Sequence, residues 1–271
     1  MTSVAPAMKL SEDAFLGDRL RIIQPADGYR AGVDAVLLAA AAPASAKGER
    51  PAQYADCGAG VGTVGLCVAA RIPSSRLYLV EREPELAGLA GKNILVNGFS
   101  DRAFVVPGDL TLNALSPGAP KIVPDSIDHA LANPPYHAIG RGTAAPNPLK
   151  SQSHAMTSDD LELWVRFLTR IVRPGGTATL IHKAALVGRL MTAFAGRFGG
   201  LLVLPIHSYA TQPAIRVIVQ GTKGSKAEPR VLPGLVLHRP DQSFRPLPKA
   251  IFRDGAALDL AQWPNSAHDC P

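Results

Sequence analysis

The chain has few cysteines and no long apolar run, and each lack removes a class of protein. Cys57, Cys67 and Cys270 are the three cysteines in 271 residues, and they form no pairable framework and no metal-ligand spacing. A disulfide scaffold is thereby excluded, and a reducing cytoplasm is the expected compartment. The apolar run over residues 33–46 is interrupted by Asp34 and Pro43, so it reads as a helix lying over the site formed downstream. No stretch is long enough for a membrane helix. Neither His137 nor His154 has a second histidine or an acid at ligand spacing, so no metal site is expected. Repeats and long low-complexity linkers are missing as well.

What is present is enough apolar sequence for one large core. With 46% hydrophobic and 18% charged residues, the chain is expected to form a single domain over residues 1–271. Within it an N-terminal segment runs to about residue 50, a core from about 50 to 222 and a basic tail from about 223 to 271. Residues 53–55, 77–80, 104–108 and 126–132 read as strands, with a helical run at 61–72 after the first. Leu161, Trp164, Val165, Leu168 and Val172 recur at helical spacing in a helix starting at Thr157, and Arg173-Pro174-Gly175-Gly176 should stop it. Trp164 then belongs to the core. Residues 177–182 read as a buried strand, 184–198 as an alanine-rich helix, and 201–206 with 215–220 as a closing strand pair. Such alternation predicts an α/β three-layer sandwich around a mostly parallel sheet.

Between the first strand and its helix stands Asp56-Cys57-Gly58-Ala59-Gly60-Val61-Gly62, the setting that a nucleotide-binding glycine loop requires. A dinucleotide fingerprint would need glycine at Thr63, and Asp56 would put a carboxylate where a pyrophosphate must sit. The acid at the strand end suits a cofactor with no phosphate and a cationic amino acid end, a description that S-adenosylmethionine fits. Glu81, at the end of the second strand, is the expected acceptor for ribose hydroxyls, and Asp109, after the third, can receive an adenine amine. Cys57 reads as a small packing residue.

Asn133-Pro134-Pro135-Tyr136 closes the fourth strand. The exocyclic amine of adenine is a poor nucleophile because its lone pair is delocalised into the ring. An enzyme acting there must accept hydrogen bonds from both amine hydrogens, and the Asn133 side-chain oxygen and the Pro134 carbonyl can be those acceptors. Pro134 and Pro135 stiffen the turn that aims them. Tyr136 can stack on the base, with Pro135 beside it as a second substrate contact. Asn133, Pro134 and Tyr136 are therefore the expected catalytic residues. Asp56, Gly58, Gly60, Gly62, Glu81 and Asp109 are the expected cofactor residues, and Asn133 is assigned to that set too. The expected reaction is methyl transfer to nitrogen.

In this order the glycine loop, Glu81, Asp109 and the Asn-Pro-Pro-Tyr tetrapeptide resemble a class I S-adenosylmethionine-dependent methyltransferase of the amino-methylating branch. Within that branch the chain is similar to the bacterial tRNA-valine adenine N6-methyltransferases. Support outside the core comes from Gly28-Tyr29-Arg30-Ala31-Gly32-Val33-Asp34-Ala35-Val36-Leu37-Leu38 and from Pro213-Ala214-Ile215-Arg216-Val217-Ile218-Val219. The resemblance implies a Rossmann-like, seven-stranded sheet with an antiparallel last strand, S-adenosylmethionine as cofactor, and RNA, tRNA above all, as substrate. His154-Ala155 departs from it, since many members have His followed by an acid.

A net charge of +6 agrees with a polyanionic partner. Lys223, Lys226, Arg230, Arg239, Arg245 and Lys249 crowd the late part of the chain with Phe244 among them, and RNA would be attracted there. A solvated basic face that only keeps the protein soluble is the alternative. Ribosomal RNA, a protein glutamine amide and a catalytically silent scaffold stay open as alternative functions. Release-factor glutamine methyltransferases are expected to carry a helical domain ahead of the glycine loop, and only about fifty residues precede it here. Residues 136–156, rich in Gly, Ala, Pro and Asn, are expected to lie over the substrate.

Overall fold

The computed structural model describes residues 8–27, 30–44, 50–110, 122–135 and 161–264, with the backbone alone at 114–115 and 158–160. An antiparallel hairpin, β1 (Leu10–Phe15) and β2 (Leu20–Pro25), leads into helix α1 (Val33–Ala40). Strand and helix then alternate as β3 (Gln53–Cys57), α2 (Thr63–Arg71), β4 (Arg76–Glu81), α3 (Pro84–Val96) and β5 (Ala103–Asp109). A short β6 (Ala114–Leu115) precedes β7 (Ile127–Ala132), α4 (Ser158–Ile171) and β8 (Val172–Lys183). A 3-10 turn at Ala184–Leu186 and α5 (Val187–Phe194) lead to the long strands β9 (Phe198–His207) and β10 (Ala214–Lys223). The chain closes with β11 (Arg230–Val231), β12 (Leu235–Val236) and α6 (Pro246–Asp254).

The sheet runs β11-β9-β10-β8-β7-β3-β4-β5-β6, with β12 also beside β9. β5, β4, β3, β7 and β8 are parallel, and β10 enters antiparallel between β8 and β9. The expected seven-stranded, mostly parallel sheet with an antiparallel last strand is thus present, and β6, β11 and β12 extend its edges. Side chains alternate across it: Leu77 and Leu79 join the core under α1, α2 and α3, whereas Tyr78 and Val80 join the core under α4 and α5. Both faces are covered, which is why the central strands carry almost unbroken apolar sequence. Among the described residues no helix is long and apolar enough to cross a membrane.

Three boundaries differ from expectation. The first helix ends at Ala40 and not at residue 46; Pro43 cannot continue it, and its carbonyl accepts the Tyr54 hydroxyl at 2.7 Å. The helix expected over 184–198 stops at Phe194, because Gly196 turns the chain at φ 72° and Phe198 already belongs to β9. Arg173-Pro174-Gly175-Gly176 does follow the end of α4, but β8 begins at Val172, ahead of the expected 177. Its pairing with β7 jumps from Ile127↔Val172 to His129↔Thr177, so the tetrapeptide bulges out. Arg173 Nε turns back to Asp128 Oδ1 at 2.6 Å. Asp128 also accepts from Arg50 and from the Gln53 N–H, drawing β3, β7 and β8 together at the amino edge.

Elsewhere two asparagines, Asn93 in α3 and Asn97 at its C-cap, act as a strand. Asn93 accepts the Ile23 N–H and donates to the Ile23 carbonyl and to the Val61 carbonyl in the glycine loop. One turn later, Asn97 does the same for Arg21 N–H and carbonyl. Residues four apart share a helix face and residues two apart share a strand edge, so the two side-chain amides meet β2 in register. The buried amide of Asn93 is thereby fully used, and the hairpin is fixed beside the loop.

Lys223 does not serve the role expected of the basic tail. Its ammonium sits at the end of α4, donating to the Thr169 carbonyl at 2.6 Å and the Val172 carbonyl at 2.8 Å and pairing with Asp125. It satisfies carbonyls that a helix leaves open at its C-terminus. Asp125 is mostly exposed, so the ion pair itself contributes little. Lys223→Met should lower stability by about 1–2 kcal/mol, from loss of the charged bonds to the two carbonyls. Thermal unfolding should show this as a drop of several degrees, with RNA affinity unchanged.

Candidate active site

Every motif singled out in the sequence core emerges at the carboxyl edge of the parallel sheet, where ligands bind in open α/β folds. Cys57 at the end of β3 pairs with Val80 on one side and Ala132 on the other. The glycine loop, Glu81 and Asn133 therefore leave the sheet as neighbours. Asp109, at the end of β5, lies two residues beyond the Glu81↔Pro107 pairing, with its carboxylate 3.8 Å from Arg82 Nη1.

The loop's shape follows from its glycines. Gly58, Gly60 and Gly62 have φ of 72°, 56° and 88°, a region where a side chain costs roughly 1–2 kcal/mol. At Gly58 a second constraint applies, since a Cβ there would run into the Trp164 ring. Trp164 is buried as expected, but it is also the wall against which the loop folds. Sequence periodicity placed it on a helix stripe and held no sign of this contact. The N–H groups of Gly58 and Ala59 both donate to the Val80 carbonyl at 2.9 Å, and Gly62 caps α2 without any side-chain cap.

Glu81 braces the loop from the next strand. Its Oε2 accepts the Gly60 N–H at 2.7 Å, and Oε1 accepts the N–H groups of Arg82 and Glu83 at 2.9 Å. Burial raises its pKa, and the three N–H bonds oppose that shift by favouring the charged form. A carboxylate has about four acceptor positions, so Oε2 keeps one for a further donor. The Thr63 hydroxyl, at the start of α2, is buried without a hydrogen-bond partner among the described residues. A carboxylate with one open acceptor position, an uncapped helix start and an unpaired hydroxyl form a donor and acceptor set that fits a nucleoside with an amino acid end.

Asp56 lies elsewhere in the same neighbourhood. Strand alternation turns its side chain from the cleft toward α2, where Oδ2 accepts the Gly65 N–H at 2.9 Å and only 1% of the residue is exposed. Burial pushes its pKa up to about 7, opposed by the Gly65 bond and aided by the charge of Glu81. The Cys57 thiol, also raised by burial, is no nucleophile.

Asn133, partly buried, follows directly on β7, and Pro134 is buried behind it. Tyr136, His137, His154 and the rest of residues 136–157 lie outside the described residues, as do Gly28 and Tyr29. The two similarity segments outside the core meet in space, since Arg216 Nε of β10 donates to Asp34 Oδ2 of α1 at 2.9 Å. His182, at the end of β8, is 1% exposed and accepts the Lys183 N–H through Nδ1; burial lowers its pKa to about 4, so it is neutral near pH 7. Among the described residues no group of three or more His, Cys, Asp or Glu could hold a metal.

No family model matches the chain. A tRNA1(Val) (adenine(37)-N6)-methyltransferase of Pedobacter heparinus is 31% identical over 216 residues, 77% of this chain and 83% of that protein. Another, from Porphyromonas gingivalis, is 29% identical over 169 residues, and the chain spans 64% of its length. Among solved structures, one from Agrobacterium tumefaciens described as a predicted O-methyltransferase superposes with a TM-score of 0.66 at 30% identity, over 83% of this chain and 98% of that one. The fold is that of the class I methyltransferases.

Asp56 supplies a test of this arrangement. A folded-state pKa above the unfolded one means that stability is lost as pH rises from the ordinary carboxylate range to about 7, and is level above it. Asp56→Asn keeps an acceptor for Gly65 but carries no charge. Between pH 5 and pH 8 the wild type should lose about 2–3 kcal/mol of unfolding free energy relative to this variant. Denaturant titrations at the two pH values check it; a constant gap would mean that Asp56 does not titrate there.

Proposed function

Because the chain belongs to the tRNA1(Val) (adenine(37)-N6)-methyltransferase family, we propose that it transfers a methyl group from S-adenosylmethionine to the exocyclic amine of an adenine in structured RNA, tRNA first. It acts as a single domain in the cytoplasm. The observation that carries this reading is the pairing of Cys57 with Ala132, which launches the glycine loop and Asn133 from adjacent strands, roughly 5 Å apart.

S-adenosylmethionine, when bound, supplies a methyl group on a sulfonium, an already activated donor. The chain's work is therefore positioning. Glu81 takes a ribose hydroxyl through the open acceptor position of Oε2, while its other bonds hold Gly60, Arg82 and Glu83 in place. Gly58, Gly60 and Gly62 supply the left-handed backbone that shapes the loop, and Asp109 receives the cofactor's adenine amine. Asp56 acts from behind the loop by fixing Gly65 and the start of α2. On the substrate side the Asn133 side-chain oxygen and the Pro134 carbonyl accept the two hydrogens of the amine. Those bonds strengthen as the nitrogen rehybridises, which is where catalysis is gained. Tyr136 stacks on the base, and Pro135 is the second substrate contact.

Two outcomes follow for the purified protein. Nucleoside mass spectrometry of unmodified tRNA and rRNA, incubated with S-adenosylmethionine, should yield N6-methyladenosine with the wild type. Asn133→Ala should cut turnover on the order of a hundredfold, with little change in cofactor affinity. Methylation of a glutamine-containing peptide in place of RNA would move the substrate class to protein amides. In calorimetry, Glu81→Gln should weaken S-adenosylmethionine binding by about 1.5–3 kcal/mol, the range for a hydrogen bond to a charged group. Preferential binding of a nicotinamide dinucleotide by the wild type would refute the cofactor.

A further inference from the structure

β9 runs parallel to β7 and β8, so its carboxyl end at His207 opens on the same edge of the sheet as Asn133. β12 lies parallel beside it, with Leu235↔Ile206 and Val236↔His207, and carries the chain past that edge. Leu237 and His238 continue the ladder, donating from their N–H groups to the carbonyls of His207 and Ser208. The chain then reverses in a tight hairpin. His238 bridges Phe244, the Arg239 N–H donates to the Ser243 carbonyl, and the Arg245 N–H donates to the Leu237 carbonyl. Asp241 is spent inside the turn, accepting the N–H and hydroxyl of Ser243.

This hairpin builds a ladder of four rings. Tyr209 and His238 have centroids 5.5 Å apart, His238 stacks on Phe244 at 4.8 Å and 26°, and Phe244 meets Phe252 of α6 at 4.9 Å. Phe244 remains 38% exposed, although it is a large apolar ring. Around it stand Arg239, Arg245 and Lys249, none in an ion pair with a described carboxylate. His238 takes one face of the Phe244 ring, and the part left in solvent lies in a stretch of chain with three such cations.

We propose that the Tyr209–His238–Phe244–Phe252 ladder is a second RNA contact, where a base flanking the reacting adenosine stacks on Phe244 while Arg239, Arg245 and Lys249 hold its phosphates. An aromatic face with adjacent cations is the chemistry that recognises single-stranded nucleic acid. Its position agrees, because β12 is four strand spacings from β7, roughly 19 Å along the shared edge. A few nucleotides of an unpaired segment cover that distance. The inference rests on the RNA reading above and adds a site outside the cofactor cleft.

Phe244→Leu keeps an apolar packing group and removes the π face, whereas Phe244→Trp keeps both. Fluorescence anisotropy with a fluorescein-labelled single-stranded oligoribonucleotide should show Phe244→Leu binding roughly five- to a hundredfold more weakly, and Phe244→Trp at least as tightly as the wild type. In methylation assays on tRNA the KM of Phe244→Leu should rise, with kcat and S-adenosylmethionine affinity unchanged. The exposed double variant Arg239→Gln/Lys249→Gln, which leaves the ladder intact, should lower the slope of log affinity against log salt by about 1.4, some 0.7 for each cation. Unchanged RNA affinity in Phe244→Leu, or an unchanged salt slope in the double variant, overturns the second contact and leaves the methyltransferase reading standing. A wild type that binds S-adenosylmethionine but neither binds nor methylates RNA overturns both.

Discussion

A carboxylate buried at the end of the second core strand governs the shape of this cleft. Glu81 holds three backbone N–H groups from two separate segments, the glycine loop and the turn into α3. Desolvation works against its charge and raises its pKa, and the same three bonds oppose that shift. The loop's left-handed conformation would otherwise be one option among many for a glycine-rich segment, whose backbone entropy is large. Glu81 thus fixes the loop from the neighbouring strand, and the loop's shape is set by the chain's own bonds.

Around that brace the period-two geometry of the sheet divides labour between neighbouring residues. On β3, Asp56 turns toward α2 and Cys57 toward α4, so the acid that looks in sequence like a cofactor contact becomes a support for the helix start. The opposite layer contributes Trp164, which presses on Gly58 from α4. Both helical layers therefore bear on a five-residue loop, and a change in either core would be felt there. The charge of Glu81 adds to burial in holding the Asp56 pKa up at about 7.

The order and identity of the core elements were readable in the sequence, because the strands are short apolar runs, the helices carry an apolar period, and glycine or proline stands near many of their ends. Strand-end acids and the Asn-Pro-Pro turn were readable for the same reason: local chemistry placed them. What escaped were relations between distant residues. Nothing near Lys223 announces that Thr169 and Val172 need a donor, and its charge made it look like part of a nucleic-acid surface. The two-residue strands β11 and β12 are set by pairing with β9 and lack any pattern of their own. Boundaries failed where tertiary pairing overrode propensity, as at Val172, where β8 starts directly off the end of α4.

The hairpin at the start of the chain shows how one kind of secondary structure can measure another. Four residues of helix rise about 6 Å and two residues of strand about 6.6 Å. The near equality lets Asn93 and Asn97 address Ile23 and Arg21 without distortion. A helix so equipped works as a ruler with two marks. Sliding β2 by one residue would leave both marks facing residues whose amides point the other way, toward β1, so the register of β2 is dictated by the pitch of the helix beside it.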